Sequence, residues 1–263
     1  MLDSRDQKIK AILASPAAAS RPKDRTPAHY LEPTRTSWLD PQRFFQRYPG
    51  AYRILTTWLA PRLPFTAWRK YFPDFKTSIV LNLGCGTQRL DPDIINVDFV
   101  DFPHVDITAD FSEALPIKDQ CIDGIVSMSV LEHMESPHLA AREIVRVLRR
   151  GGVLYVNTPF LYPYHAAPND YTRWTLSGLS QLFGEEMEVV ESGPRGGVFC
   201  VCLITATHFI AQLLCCGSEK LYRLLNHLSL AVLAPIKYFD FFTIKLPFTS
   251  NLCPSFFWIA KKK

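Results

Sequence analysis

The run Val80-Leu81-Asn82-Leu83-Gly84-Cys85-Gly86-Thr87 joins a stretch of core-type residues to Gly-x-Gly. Such a strand can turn sharply at its end and let a ligand approach the main chain, because glycine adopts conformations that a Cβ forbids. Alone, the run fits a nucleotide site or a plain turn equally well. Asp98 follows Gly84 by fourteen residues and ends the next predicted strand. An acid there can accept hydrogen bonds from both ribose hydroxyls of an adenosine ligand. A dinucleotide site asks for a third glycine and about twenty residues to the acid. Here Arg89 stands at the third-glycine place and the spacing is short, so a ligand without a pyrophosphate fits better. Asp110, ahead of Leu115-Pro116 and the run 122–126, is placed to read an adenine edge. Its structural alternative is a turn cap.

A second set of reactive residues lies in the loop 164–173, Tyr-His-Ala-Ala-Pro-Asn-Asp-Tyr-Thr-Arg. His165, Asp170, Tyr171 and Arg173 could bind a substrate hydroxyl or take its proton, the usual work of a positioned imidazole. The alternative for Asp170 and Arg173 is a simple pair that caps the following helix. A further imidazole, His133, follows Glu132 after the third strand, and His165 is preferred to it as the base.

Positioning these groups requires alternating strands and helices. Strands are predicted at 78–83, 94–98, 122–127, 153–157, 187–192 and 255–260 from short apolar runs bounded by turn residues. Residues 137–150 have helical periodicity, with Leu139, Ile144, Val147 and Leu148 on one side, ending at Gly151-Gly152. Residues 174–183 form a second predicted helix with Thr175 as its N-cap. The alternation predicts an α/β fold with a doubly wound, mostly parallel sheet. Open sheets of that kind bind ligands at the carboxyl ends of their strands, where every residue singled out above falls.

The ordered series L-N-L-G-C-G, N-V-D, L-P-x-x-D-x-x-x-D, V-L-E-H, E-I-x-R-V-L-x-x-G-G and N-T-P, over residues 78–185, resembles the class I methyltransferases of the type 11 group. The resemblance implies a Rossmann-like, seven-stranded sheet that binds S-adenosyl-L-methionine. It implies that Gly84, Cys85 and Gly86 line the methionine and ribose end, and that Asp98 takes the ribose hydroxyls. Asp110 and Phe111 would hold the adenine, and Ser129 would flank the sulfonium. Between Gly86 and Ile94 there is little room for the usual first helix, as in a subset resembling enzymes encoded with surface-glycan and secondary-metabolite genes. Quinone-type O-methyltransferases carry a similar E-x-x-E-H run that can hold a divalent metal. Here Ser129 replaces the first acid, leaving Glu132 and His133 as at most two ligands, so no metal is expected.

The activity implied is methyl transfer to an oxygen nucleophile, a sugar hydroxyl or a lipid-linked small molecule, by in-line displacement at the sulfonium with His165 as base. The competing readings are a catalytically silent scaffold that binds membrane or a partner, and an NAD-dependent oxidoreductase, which the missing third glycine argues against.

Composition sets the frame. The 263 residues carry a net charge of +4 and no long basic stripe, which gives no reason to expect nucleic acid. The seven cysteines include no C-x-x-C pair and suggest neither zinc nor a disulfide framework, which fits a reducing, cytoplasmic setting. Residues 1–36 are expected to be a disordered tail, residues 37–75 an aromatic-basic helical cap, and residues 76–263 the methyltransferase domain. Within that domain, 193–254 reads as an apolar helical insertion before the last strand. The run 198–216 is barely of membrane-spanning length and contains His208 and Gln212. A helical hairpin that caps the site, or lies peripherally on the cytoplasmic membrane face, is therefore the expectation.

Overall fold

The computed structural model describes residues 4–14, 68–86, 89–166 and 169–263. Seven strands form one sheet in the order β3-β2-β1-β4-β5-β7-β6. They are β1 Val80–Leu83, β2 Ile95–Asp98, β3 Ile107–Thr108, β4 Ile122–Met128, β5 Leu148–Pro159, β6 Met187–Pro194 and β7 Ser255–Lys262. The first five pair in parallel, and β7 runs antiparallel between β5 and β6. This is the expected doubly wound α/β sheet. Strand β3 was not predicted, since two residues are too few to show a period.

Every side chain of β1 and β2 is buried, as in parallel strands covered on both faces. Alternate residues divide between the two faces. Leu81, Leu83, Ile125, Leu154 and Val156 face one core with helices α2 Pro137–Val147 and α3 Leu176–Phe183. Val80, Val126, Val153 and Tyr155 face the other with Phe72 and Trp68. Gly124 is glycine for this second packing: a Cβ there would sit 2.6 Å from the Phe72 ring. In the described part of the aromatic-basic segment, 68–75, Phe72 is buried in this core and Trp68, Tyr71 and Phe75 pack half-buried against it. Residues 37–67 lie outside the described residues.

Two expectations for the helices are corrected. Helix α2 buries Ala140, Ala141, Ile144, Val145 and Val147, while Leu139 is exposed. Leu139 precedes Ile144 by five positions, roughly 140° round the axis. The helix also ends at Val147, because Leu148 turns extended and starts β5. Helix α3 begins as expected, with the Thr175 hydroxyl accepting from the Gly178 amide at 3.0 Å. Within 1–36, residues Ser4–Ile12 form helix α1 rather than a loose tail. Its end is tied down by Ile12, fully buried, and by the Ala14 amide donating to the Pro116 carbonyl at 3.0 Å. Residues 15–36 lie outside the described residues.

Between β6 and β7 the chain makes the expected helical excursion: α4 Val198–Leu214, α5 Glu219–Leu233, and short turns through Thr249–Asn251. Buried Asp240 anchors it, accepting from the amides of Gly197, Phe199 and Cys200 at 2.8, 2.9 and 2.9 Å. The first helical amides otherwise lack partners, and a carboxylate also suits that end of the helix dipole. Helix α4 buries Cys200, Leu203, Ile204, Thr207 and Ala211, whereas α5 buries no residue. Among the described residues no helix is long and apolar enough to cross a membrane.

Candidate functional site

The carboxyl ends of β1, β2 and β4 surround a cavity of about 510 Å³, a volume usual for small-molecule sites. At its floor the chain leaves β1 through Gly84 and Gly86, both left-handed, with φ of 67° and 54°. The two glycines serve different purposes. A Cβ on Gly84 would lie 2.4 Å from Val130 Cγ2, so Gly84 makes room for protein rather than for a ligand. A Cβ on Gly86 would meet nothing within 4 Å, and it is here that a ligand can approach the backbone.

Asp98 ends β2 at the cavity wall and is 4% exposed. One carboxylate oxygen accepts from the Gly86 amide at 2.8 Å, the other from the Val100 amide at 3.0 Å. Each oxygen thus keeps acceptor capacity for a further donor. The His104 ring donates through Nε2 to the Gly86 carbonyl at 2.8 Å, fixing the turn from outside. Arg89 donates to the Ile94 and His104 carbonyls and pairs with Asp106 at 3.0 Å. Its guanidinium is therefore taken up by protein acceptors. No helix follows the glycine turn among the described residues, so no helix N-terminus waits there for a pyrophosphate.

Gly84, Gly86, Asp98, Asp110, Phe111, Ser129, His133 and Tyr171 all line the cavity. Asp110 also caps its own turn, accepting from the Ser112 amide at 2.8 Å, which is the structural alternative named for it. Ser129 sits at φ 56°, an uncommon conformation for a residue with a Cβ and one that clusters at functional sites.

Cys85, His165, Asp170 and Arg173 are not on the cavity wall. Cys85 is buried beneath the turn, and burial pushes its thiol up to about 12. Asp170 and Arg173 form a bidentate pair, with Nη2 2.6 Å from Oδ2. The guanidinium holds the Asp170 carboxyl down to about 2. Arg173 also donates to the carbonyls of Tyr162, Pro163 and Thr172. The two residues pair, as the structural alternative supposed, but they brace the loop rather than cap the helix, whose cap is Thr175.

His165 stands behind His133, the rings edge to face with centroids 5.1 Å apart. Both face Glu132, which is fully buried, and each Nε2 lies 3.8 Å from Glu132 Oε1. The Glu132 carboxylate raises the His165 pKa above its ordinary value, against the opposing effect of burial. The sequence weighs Glu132 only as one of two metal ligands beside His133, with nothing to show that His165 faces it too. It also does not single out Phe99, Val100, Phe102, Met134 and Asn169, which are among the other residues of the wall. Phe99 and Val100 follow Asp98 directly, and that adjacency was the available signal.

None of the residues of the helical excursion lines this cavity, and the farthest along the chain to do so is Tyr171. The expected lid over the site is therefore not formed by α4 and α5. Their outward surface instead includes large apolar side chains, Phe209 and Leu213 on α4 and Leu224, Leu228 and Val232 on α5, and Phe241, Phe242 and Phe248 follow in the turns beyond; all are more than half exposed.

Comparison with known proteins gives the following. Residues 81–156 match a family described as a methyltransferase domain. A segment of 58 residues, 22% of this chain, is 40% identical to a probable S-adenosylmethionine-dependent methyltransferase of Mycolicibacterium smegmatis, and spans only 23% of that relative. Among solved structures, the [4+2]-cyclase SpnF is 17% identical over 81% of each chain, with a TM-score of 0.43. The Haemonchus contortus phosphoethanolamine N-methyltransferase 2, in complex with phosphomonomethylethanolamine and S-adenosylhomocysteine, is 12% identical over 83% of this chain and 59% of its own, with a TM-score of 0.48. These superpositions are partial, and the fold rests on the strand order itself.

Proposed function

Residues 81–156 are a class I methyltransferase domain of the type 11 group, whose cofactor is S-adenosylmethionine, and on that premise we propose that the chain is a methyltransferase acting on an oxygen nucleophile. The observation that carries the reading is Asp98, a buried carboxylate at the cavity wall beside the open Gly86 turn, with one backbone amide on each oxygen. That arrangement suits a ribose. The cavity has room for the rest of a nucleoside, and Asp110, Phe111, Ser129 and Gly86 line it. Arg89, taken up by Asp106, and the lack of a helix after the glycine turn among the described residues argue against a dinucleotide.

When bound, the cofactor supplies an electrophilic methyl on a sulfonium. The chain's part is then mostly alignment, which can contribute several kcal/mol when reacting atoms are held in line (about 7–11 in the best cases). His133 lines the cavity and His165 backs it. Both are assigned to the acceptor's oxygen, with Tyr171 beside them as a binding residue. Asp170 and Arg173 act on the acceptor only through the loop they brace.

The acceptor is proposed to be a sugar hydroxyl or a lipid-linked small molecule, and the chain to lie peripherally on the cytoplasmic membrane face. The support is the apolar outer surface of α4, α5 and the turns after them. Contiguous apolar surface on this scale is usually covered by a partner or a lipid surface. Calorimetric titration with S-adenosylhomocysteine and, separately, with NAD tests the reading. Binding of the first and not the second is expected. Binding of NAD alone would overturn it.

A further inference from the structure

Three potential ligand atoms converge beside the cavity. Glu132 is fully buried, and neither of its carboxylate oxygens has a hydrogen-bond partner. A buried charge left in that state is costly. The imidazoles of His133 and His165 are both turned toward it. His133 Nδ1 lies 2.6 Å from the Asn169 carbonyl, and His165 Nδ1 lies 3.1 Å from the Pro163 carbonyl. A carbonyl only accepts, so each ring carries its hydrogen on Nδ1, and each neutral ring presents a bare lone pair at Nε2. Those two Nε2 atoms are the ones 3.8 Å from Glu132 Oε1.

Three acceptors facing one another are unfavourable unless a positive charge sits among them. Among the described residues, the cation coupled to Glu132 is Arg173. Arg173 is taken up by Asp170 and three carbonyls. A proton on one imidazole satisfies one Nε2 and leaves the other lone pair facing the carboxylate. A metal ion satisfies all three.

We propose that Glu132, His133 and His165 form a binding site for a divalent transition metal of the zinc type. The ligand atoms lie within 4.8 Å of one another. The 3.8 Å from nitrogen to oxygen is within the span of two ligands each about 2.0–2.2 Å from one ion. Two imidazoles with one carboxylate, and a fourth position left open, are a donor set that zinc takes in catalytic sites. The supporting shell is also present. Each imidazole is held by a hydrogen bond from its other nitrogen, the arrangement that orients metal-bound histidines. Asp170 stands 3.3 Å from His165 Nδ1 and accepts from the His165 amide at 2.9 Å, so the loop that delivers the third ligand is fixed.

The proposed site departs from the expectation of no metal. That expectation counted ligands along the sequence near residue 132, where only two stand together. The third comes from the loop after β5, thirty-two residues on from His133. The inference deepens the role proposed above for the two histidines and, for its bearing on methyl transfer, rests on that reading: they act on the acceptor's oxygen through a bound cation whose open position adjoins the cavity at His133.

The test is metal titration of the full chain, stripped with a chelator, using Zn²⁺ by calorimetry and Co²⁺ by its visible absorption. One equivalent is expected to bind, with the Co²⁺ spectrum of a site containing nitrogen ligands. Glu132→Gln and His165→Ala should each weaken binding by more than the roughly 10–100-fold that even an outer-shell partner commands. His165 is partly exposed, so its variant gives a folded control should Glu132→Gln fail to fold. No binding by the wild type, or equal binding by His165→Ala, would overturn the site and leave an imidazolium–carboxylate pair in its place. Titration of the same samples with S-adenosylhomocysteine separates the two readings. Cofactor binding without metal sinks only the metal site, and metal binding without cofactor sinks only the methyltransferase reading.

Discussion

The Gly86 amide donates to Asp98 Oδ2 at 2.8 Å, so the last residue of β2 closes the turn that ends β1. The same carboxylate that shapes the turn faces the cavity. Asp98→Ala should therefore lower affinity for S-adenosylhomocysteine at least about a hundredfold. Two hydrogen bonds to a charged acceptor are lost, each worth about 1.5–3 kcal/mol. Calorimetry reads the affinity and circular dichroism the fold. A folded variant with unchanged affinity would remove Asp98 from the cofactor site.

The two glycines of the turn should part company under substitution. Gly84→Val drives a Cβ to 2.4 Å from Val130 Cγ2, and overpacking of that kind costs about 1–3 kcal/mol or more, in addition to the left-handed backbone. Gly86→Val meets no protein atom and pays only the backbone strain, about 1–2 kcal/mol, yet it projects into the open turn. Thermal unfolding should rank Gly84→Val as the less stable, while Gly86→Val, still folded, loses cofactor binding. The reverse ranking would mean that the ligand does not pass over Gly86.

His165→Ala is expected to lower turnover on the acceptor by roughly 10²–10⁴-fold, the usual worth of such a residue. Cofactor affinity should barely change, because His165 is off the cavity wall. Unaltered turnover would leave His133 as the residue to test in the same way.

Much of this was legible in the sequence, and the reasons differ by element. The strands whose residues are apolar on both faces read clearly, because a buried parallel strand leaves a continuous run such as Val80-Leu81-Asn82-Leu83. Strand β3 and the end of α2 did not. The first is two residues long, and the second is set by where Leu148 joins β4 rather than by helical periodicity. The cavity residues that follow directly on a motif, Gly86 and Asp98, were found by position. Glu132 was counted with His133 alone, because His165 is brought to it by the fold from a distant loop. The Asp240 cap of α4 lies forty or more residues from the amides it serves and leaves no local signature.

The pH dependence of stability should carry the mark of Glu143. Arg146 holds its carboxyl below the ordinary value of 4.5, with the Leu115 amide adding to the effect at 2.7 Å. Because the folded pKa is depressed, the stabilisation is fully present above 4.5 and is lost as pH falls through the lowered value. Arg146 also binds the Leu115 and Ile117 carbonyls, so the pair pins the segment after Asp110 to α2. Glu143→Gln should cost about 1 kcal/mol at pH 7, a figure reduced for partial exposure. The gap between variant and wild type should close at an acidic pH below that lowered value. Urea midpoints at the two pH values measure it, and a gap that persists at low pH would show that packing, not charge, is what the side chain contributes.

The last prediction concerns the outward face of α4 and α5. Phe209 and Leu213 are 64% and 69% exposed on α4, one turn apart. On α5, Leu224, Leu228 and Val232 repeat at the same helical interval and are likewise exposed. Beyond them Phe241, Phe242 and Phe248 are 67–76% exposed. Lys220 and Lys245 flank this surface in sequence, and of the acids nearby Asp240 is buried and Glu219 is paired with Arg223. An apolar face edged by basic residues suits the headgroup region of an anionic membrane. The double variant Phe209→Glu/Leu213→Glu should fold normally, since neither side chain is buried. In co-sedimentation with vesicles containing anionic lipid, the wild type should pellet and the variant should stay in the supernatant. If both remain in the supernatant and the wild type is monodisperse without detergent, the membrane part of the reading is wrong, and a water-soluble acceptor becomes the reading to pursue.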